Sequence, residues 1–136
     1  MSEENMEAVR RGYELMAAGE LEALTGLFSD DAELADTGGL GIAGTATGTR
    51  RGPEGFLRSI KEAQDAFEDY RVEPEDFIDA GESVVVWVRV SGRGRASGMA
   101  QEAHVAQLWS LRDGKVIRGE VYRTVEEAVE AAGLSE

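Results

Sequence analysis

The sequence predicts an α+β fold: a curved antiparallel sheet wrapped around three N-terminal helices, with a short C-terminal helix. Three observations predict it. Apolar residues recur at steps of three and four in the first half of the chain. From Tyr70 onward the pattern is strand-like and broken by turn clusters. A capping pair then opens a last helix. The helices are too few to cover both faces of a long hairpin-connected sheet, so the economical arrangement curves the sheet around them.

Met6, Val9, Tyr13 and Met16 form one face of a helix over about 3–18, which Gly19 ends. Leu21, Leu24, Leu27 and Phe28 mark a second, short helix. Ala32 to Asp36 reads as a short strand. Residues 37–52 hold six glycines and no hydrophobic period, so they read as an irregular connection. Gly52-Pro53 opens a third helix, with proline where its missing N–H costs nothing. Phe56, Ile60, Ala63 and Phe67 give its buried stripe. Strands follow at about 70–79, 83–91, 97–111 and 115–123, separated by turn clusters at 80–82, 91–95 and 112–115. Pro74 belongs at a sheet edge or a bulge. Thr124 with Glu127 caps a final helix that ends at Gly133.

The 136 residues fit one domain, 1–136, with no repeat or linker. The chain has no Cys and one His, which excludes thiolate metal sites, Cys nucleophiles and multi-imidazole sites within one chain. A formal net charge of −13 argues against nucleic acid and anionic membranes as partners. No apolar run approaches the ~20 residues of a membrane span, and the acidic start lacks a signal-peptide core. The expected location is cytoplasmic.

Several stretches then fall into a familiar order. Tyr13-Glu-Leu-Met-Ala-Ala-Gly19-Glu-Leu-Glu-Ala-Leu and Leu27-Phe-Ser-Asp-Asp-Ala-Glu open the chain. Arg51-Gly-Pro-Glu-Gly-Phe56, Val84-Val-Val-Trp-Val-Arg-Val90 and Trp109-Ser-Leu-Arg-Asp-Gly-Lys-Val116 follow, and Val121-Tyr-Arg-Thr-Val-Glu-Glu-Ala closes the set. Nearly the whole chain, apart from 37–49, resembles SnoaL-like proteins of the nuclear-transport-factor-2-like superfamily, which includes ketosteroid isomerase. The resemblance implies a cone-shaped barrel with one deep pocket, commonly a homodimer joined through the sheet. It names no reaction, because the superfamily hosts isomerases, cyclases, hydratases, hydrolases and binders.

Ketosteroid isomerase uses an Asp base and an oxyanion hole of one Tyr and one protonated Asp. Carried over by the resemblance, the base falls on Asp36. The oxyanion Tyr falls on Gly12, one residue from Tyr13, and, aligned backward from Gly114-Lys115-Val116, the oxyanion Asp falls on Ala106. Two of the three groups are therefore absent, and ordinary ketosteroid isomerase activity is not expected. If Ala106 faces the pocket, alternation puts His104 and Leu108 on the same face. His104 would then be the second polar group, acting as acid, base or donor beside Asp36. The same alignment turns Val86, Val88 and Val90 inward, with Trp87 and Arg89 opposite. Arg123 falls near the cone mouth.

Each residue has a bland alternative. Asp36 could cap a turn, His104 could be structural, and Tyr13 could be core. Trp87 and Trp109 could fill the core or an interface, and Arg123 could serve a surface ion pair. Gly39-Leu-Gly-Ile-Ala-Gly44 matches a dinucleotide fingerprint literally but lacks the strand and helix around it. The nine carboxylates of Glu62–Glu82 lack calcium-loop spacing and suit a solvated face.

The resulting expectation is a small enzyme without metal or cofactor. It would carry out acid/base isomerisation or cyclisation of a neutral, hydrophobic, polyketide- or terpenoid-like ring molecule. The catalytic residues would be Asp36 and His104. Tyr13, Met16, Phe56, Val86, Val88, Ala106, Leu108, Val121 and Arg123 would line the pocket, and the Gly-rich 37–52 stretch would close over it. The alternatives are a non-catalytic binding module and a dimerising scaffold with a collapsed cone.

Overall fold

The computed structural model describes residues 2–36 and 48–134. The chain runs α1 (Ser2–Ala17), α2 (Leu21–Thr25), β1 (Phe28–Asp36), β2 (Gly48–Arg51) and α3 (Gly52–Ala66). It continues through β3 (Phe67–Ala80), β4 (Ser83–Gly94), β5 (Ala100–Arg112), β6 (Lys115–Tyr122) and α4 (Val125–Leu134). The strands form one sheet in the order β2-β1-β6-β5-β4-β3. Every pair is antiparallel except β1 with β6, which run parallel.

α1 stops where expected. Gly19 adopts φ +76°, and its N–H and that of Glu20 bond back to Met16 and Leu15 at 3.1 and 2.9 Å. This pair of bonds satisfies carbonyls that a helix end would leave bare, and only glycine adopts that backbone without strain. At the far end, Thr124 Oγ1 accepts the Glu127 N–H at 3.1 Å and opens α4.

Several strand boundaries differ from the sequence reading; β4 runs on to Gly94 rather than 91, and β5 starts at Ala100 rather than 97. β1 begins at Phe28 rather than Ala32. Ser29, Asp30 and Asp31 look like a turn, but Phe28 and Ala32 are both buried while Asp30 and Asp31 face solvent. Residues 48–51 are a strand rather than loop, paired with β1 through Glu33–Arg51 and Leu34–Arg50. The proposed closing of 37–52 over the pocket concerns, for 37–47, residues outside those described. β3 starts at Phe67 because that residue leaves α3 in an extended conformation, with φ −132° and ψ 140°. Pro74 meets both expectations at once: β3 is an edge strand, and its register slips between Pro74 and Asp76.

The sheet has two covered faces. Val84, Val86, Val88 and Val90 pack with Val9, Tyr13, Leu24 and Ile60 of α1, α2 and α3. Val85, Ala106 and Leu108 pack with Ala128 and Ala132 of α4 on the other side. Among the described residues no helix is long and apolar enough to cross a membrane.

The join between β2 and α3 is a tight one. Gly52 sits at φ +71°, and a Cβ there would meet the Asp30 carbonyl oxygen at 2.8 Å. Gly52→Ala combines backbone strain with a clash against main chain, so it should lower stability by about 1–3 kcal/mol. Urea unfolding should show a lower midpoint with an unchanged slope.

Candidate functional site

The inner helices do not fill the curve of the sheet. A half-open cavity of about 210 Å³ remains between them. α1 contributes Gly12, Tyr13 and Met16, and α3 contributes Phe56, Ile60 and Ala63. The strands contribute Val90, Val105, Gln107, Trp109, Gly119 and Val121, among others. The wall is overwhelmingly apolar. Among the described lining residues only Glu120 has an ionic side chain. Its carboxylate is engaged by the Tyr122 hydroxyl at 2.8 Å and Arg118 Nε at 3.3 Å. Glu120 and Tyr122 pair with Leu108 and Ala106, on the face that α4 covers.

One polar cluster interrupts the wall. Trp109 Nε1–H donates to the Tyr13 hydroxyl oxygen at 2.9 Å. The Tyr13 hydroxyl in turn donates to Gln107 Oε1. Gln107 and Trp109 are two apart on β5 and so share its inner face, while Tyr13 reaches them from α1. Trp109 is fixed by Phe28 and Phe56, whose rings meet it nearly edge-on at 6.2 and 6.3 Å. Gly119 lies opposite on β6, and a Cβ there would sit 2.5 Å from the indole. Glycine is therefore what lets the indole lie flat across β6.

The inner face of β5 corrects the sequence reading. Val86 and Val88 do point inward and are fully buried in the inner core, but they lie outside the cavity wall. Val88 pairs with Val105, and Trp87 pairs with Ala106. Cross-strand partners share a face, so Val105, Gln107 and Trp109 face inward with the valines. His104, Ala106 and Leu108 face outward. The inward placement of these three came from counting back from the Gly114 turn. A slip of one residue in such an alignment turns every side chain to the other face.

His104 therefore does not enter the cavity. Its Nε2 lies 2.9 Å from Glu75 Oε1, and its ring stacks on Trp87 at 5.5 Å. Arg89 beside it bonds to Glu102, and to Glu73 at 3.4 Å. Ala106 and Leu108 are core residues beneath α4. Arg123 is exposed just past β6 and is not in the wall. Tyr13, Met16, Phe56 and Val121 line the cavity. Asp36 ends β1 with its backbone in register with Val121 of β6.

Gln107 was missed as a site residue, and Trp109 was weighed chiefly as core. The signal was present: once Val86, Val88 and Val90 face inward, antiparallel pairing selects the odd-numbered residues of β5. Gln107 is the polar residue in that set.

Burial shapes the titration of all three tyrosines. It pushes the Tyr13 phenol far above its ordinary value, against the opposing hydrogen bond from Trp109. It raises Tyr70 as well. Tyr122 is pushed up to about 12 by burial first, and then by its bond to the Glu120 carboxylate. The folded state thus keeps phenolic protons that the unfolded chain releases near the ordinary 10.0. The stability this contributes is complete below about pH 10 and is lost as pH rises through 12 and beyond. Urea midpoints should hold to about pH 10 and fall above it, with phenolate absorbance appearing late in the folded protein. Tyr13→Phe leaves a buried indole N–H and an amide oxygen without this partner, so it should cost about 1–3 kcal/mol in the same assay at neutral pH.

The fold is shared with solved proteins. An NTF2-like protein of unknown function from Burkholderia pseudomallei K96243 superposes with a TM-score of 0.76 at 21% identity, covering 93% of this chain and 95% of that one. TerC, crystallised with polyporic acid, gives 0.75 at 25% identity over 93% and 98%. A putative polyketide cyclase from Sinorhizobium meliloti gives 0.67 at 23% identity over 85% and 93%. No curated protein matches the sequence at a significant level. The SnoaL-like domain profile matches residues 9–119, a span that contains the whole inner face of β4 and β5 and most of the cavity wall. The chain belongs to the SnoaL-like domain family.

Proposed function

We propose that the chain binds a neutral, largely apolar ring molecule in this cavity and isomerises or cyclises it by acid/base chemistry, with Asp36 as the base. The observation that carries the proposal is the cavity itself: about 210 Å³, apolar, and interrupted by one hydrogen-bonded polar cluster. An engineered apolar cavity of about 150 Å³ holds benzene, so this one suits a two-ring compound. A wall this poor in charge favours neutral ligands, because an ion entering it gives up hydration without a partner.

Asp36 is placed by its backbone beside Val121, a wall residue, at the end of a strand. In the proposed step the carboxylate takes a proton from the carbon next to a carbonyl, giving an enolate. Return of that proton to a different carbon isomerises the substrate. Attack of the enolate carbon on a second carbonyl closes a ring. Neither route needs an oxidant or reductant. TerC's polyporic acid and the S. meliloti protein's cyclase description are in keeping with this substrate class. A homodimer joined through the sheet belongs to the same proposal, by likeness to the family.

A binding module is the second reading, and a specific observation favours it. Among the described lining residues only Glu120 has an ionic side chain, and it is already engaged by Tyr122 and Arg118. A thermal-shift screen of cyclic ketones, lactones and phenols separates the readings, because a ligand that binds only the folded state raises its melting temperature. The expected outcome is stabilisation of both wild type and Asp36→Asn by the same compounds, with turnover of those compounds by wild type alone. Stabilisation without turnover in either protein supports the binder. No stabilisation of either removes the cavity as a ligand site.

A further inference from the structure

We infer that Gly12 sets the size of ring system the cavity admits: the side chain it lacks leaves room beside α1 and α2 for a second ring. The inference rests on the cavity being a ligand site, as proposed above.

Three glycines of this fold are bare for different reasons. At Gly52 a Cβ would strike the Asp30 carbonyl oxygen, and at Gly119 it would sit 2.5 Å from the Trp109 indole. Sterics require glycine at both. Gly12 is not required in that sense. It lies inside α1, and its φ is outside the left-handed region. A Cβ there would meet Leu27 Cδ1 at 3.5 Å and Leu24 Cδ1 at 3.7 Å. Those are ordinary van der Waals contacts, made with the ends of two flexible side chains.

Local energetics therefore favour alanine at this position. Glycine weakens a helix because it gives up more backbone freedom on folding than any other residue. A methyl group would remove part of that cost and add apolar contacts with the two leucines. The chain forgoes this stability, which is the trade a working site makes. The place where it is forgone is the cavity wall: Gly12, Leu24 and Leu27 all line it. The missing side chain would thus stand among the lining residues themselves.

The cavity volume says what the space is for. An apolar cavity of about 150 Å³ holds one benzene ring, and this one is about 210 Å³. The excess over a one-ring site is small, and a close-packed site registers even one added methylene. A one-ring ligand can shift away from a methyl group at position 12. A two-ring ligand that fills the cavity cannot.

The test titrates phenol and 1-naphthol, which differ by one fused ring, into wild type and Gly12→Ala by ligand-observed NMR at neutral pH. Without ligand, Gly12→Ala should melt about 2–6 °C higher than wild type. Its affinity for 1-naphthol should fall about tenfold or more, the usual effect of one methylene in an apolar pocket, while its affinity for phenol stays unchanged. In wild type, the ring protons of bound 1-naphthol should show nuclear Overhauser contacts to the Gly12 α-protons, a readout that needs no variant. A melting temperature that does not rise, or a variant that does not fold, makes the glycine structural and overturns the inference. An unchanged 1-naphthol affinity, an equal loss of both probes, missing contacts to Gly12, or a wild type that binds phenol alone overturns it too and leaves the cavity standing as a ligand site. If neither probe binds wild type, the ligand-site proposal fails and the inference fails with it.

Discussion

The register of β4 against β5 is the constraint on which the rest of the molecule depends. Both strands are buried on the inner face against α1, α2 and α3, and on the outer face α4 covers Val85, Ala106 and Leu108 while Arg89, Glu102 and His104 face solvent. Register is strongly specified wherever one face of a sheet is buried and the other is not. Here a one-residue slip would carry Trp87 and Arg89 into the helical core and leave the valine row facing α4. Burying an arginine without its carboxylates is prohibitive. Arg89 is instead held outside by Glu102 and Glu73, and Trp87 is covered by the His104 ring. Outer-face polarity and inner-face valine thus enforce the same register, and that register brings Gln107 and Trp109 to the cavity.

Much of the fold was legible in the sequence, because its signals are local. The stripe Met6, Val9, Tyr13, Met16 and the Gly19 stop need only neighbours three or four residues away. The Thr124–Glu127 cap is likewise complete within one turn. Less local features were harder to read. The strand at Gly48–Arg51 has no apolar alternation of its own, and it exists because Glu33 and Leu34 of β1 offer it a ladder. The early start of β1 at Phe28 depends on burial against Phe56, whose ring lies 4.6 Å away. Neither contact can be seen from sequence spacing.

The site was legible in its helices and less so in its sheet. Tyr13, Met16 and Phe56 line the cavity because a helix face is set by periodicity alone. The face of β5 had to be counted from an anchor. Two anchors disagreed: the valine row of β4 and the Gly114 turn. The valine row is the sounder physical guide, since four valines buried in one core cannot turn outward without losing hydrophobic stabilisation of about 1.5–3 kcal/mol each. The turn constrains only the residues beside it. In addition, β6 slips its register against β5 between Ser110 and Leu111, which breaks any count made across that hairpin.

The cavity itself runs against stability. Empty apolar volume costs about 24 cal/mol per Å³ when large side chains are cut away from a core, so 210 Å³ corresponds to at most about 5 kcal/mol. Part of that cost is avoided, because one side of the cavity is open to water. The figure still compares with the whole net stability of a typical domain, about 5–15 kcal/mol. Larger side chains could close the space in principle, yet two of its walls are bare. Gly12 adds no side chain to the wall, and Gly119 lets an indole lie against the backbone. Around that space Phe28 and Phe56 each meet Trp109 edge to face and tilt against one another, and the hydroxyl of Tyr13 is satisfied on both sides. A collapsed scaffold would have relaxed these side chains into the void. A wall that is rigid, satisfied and still open is one whose missing stabilisation a ligand can supply by binding the folded state.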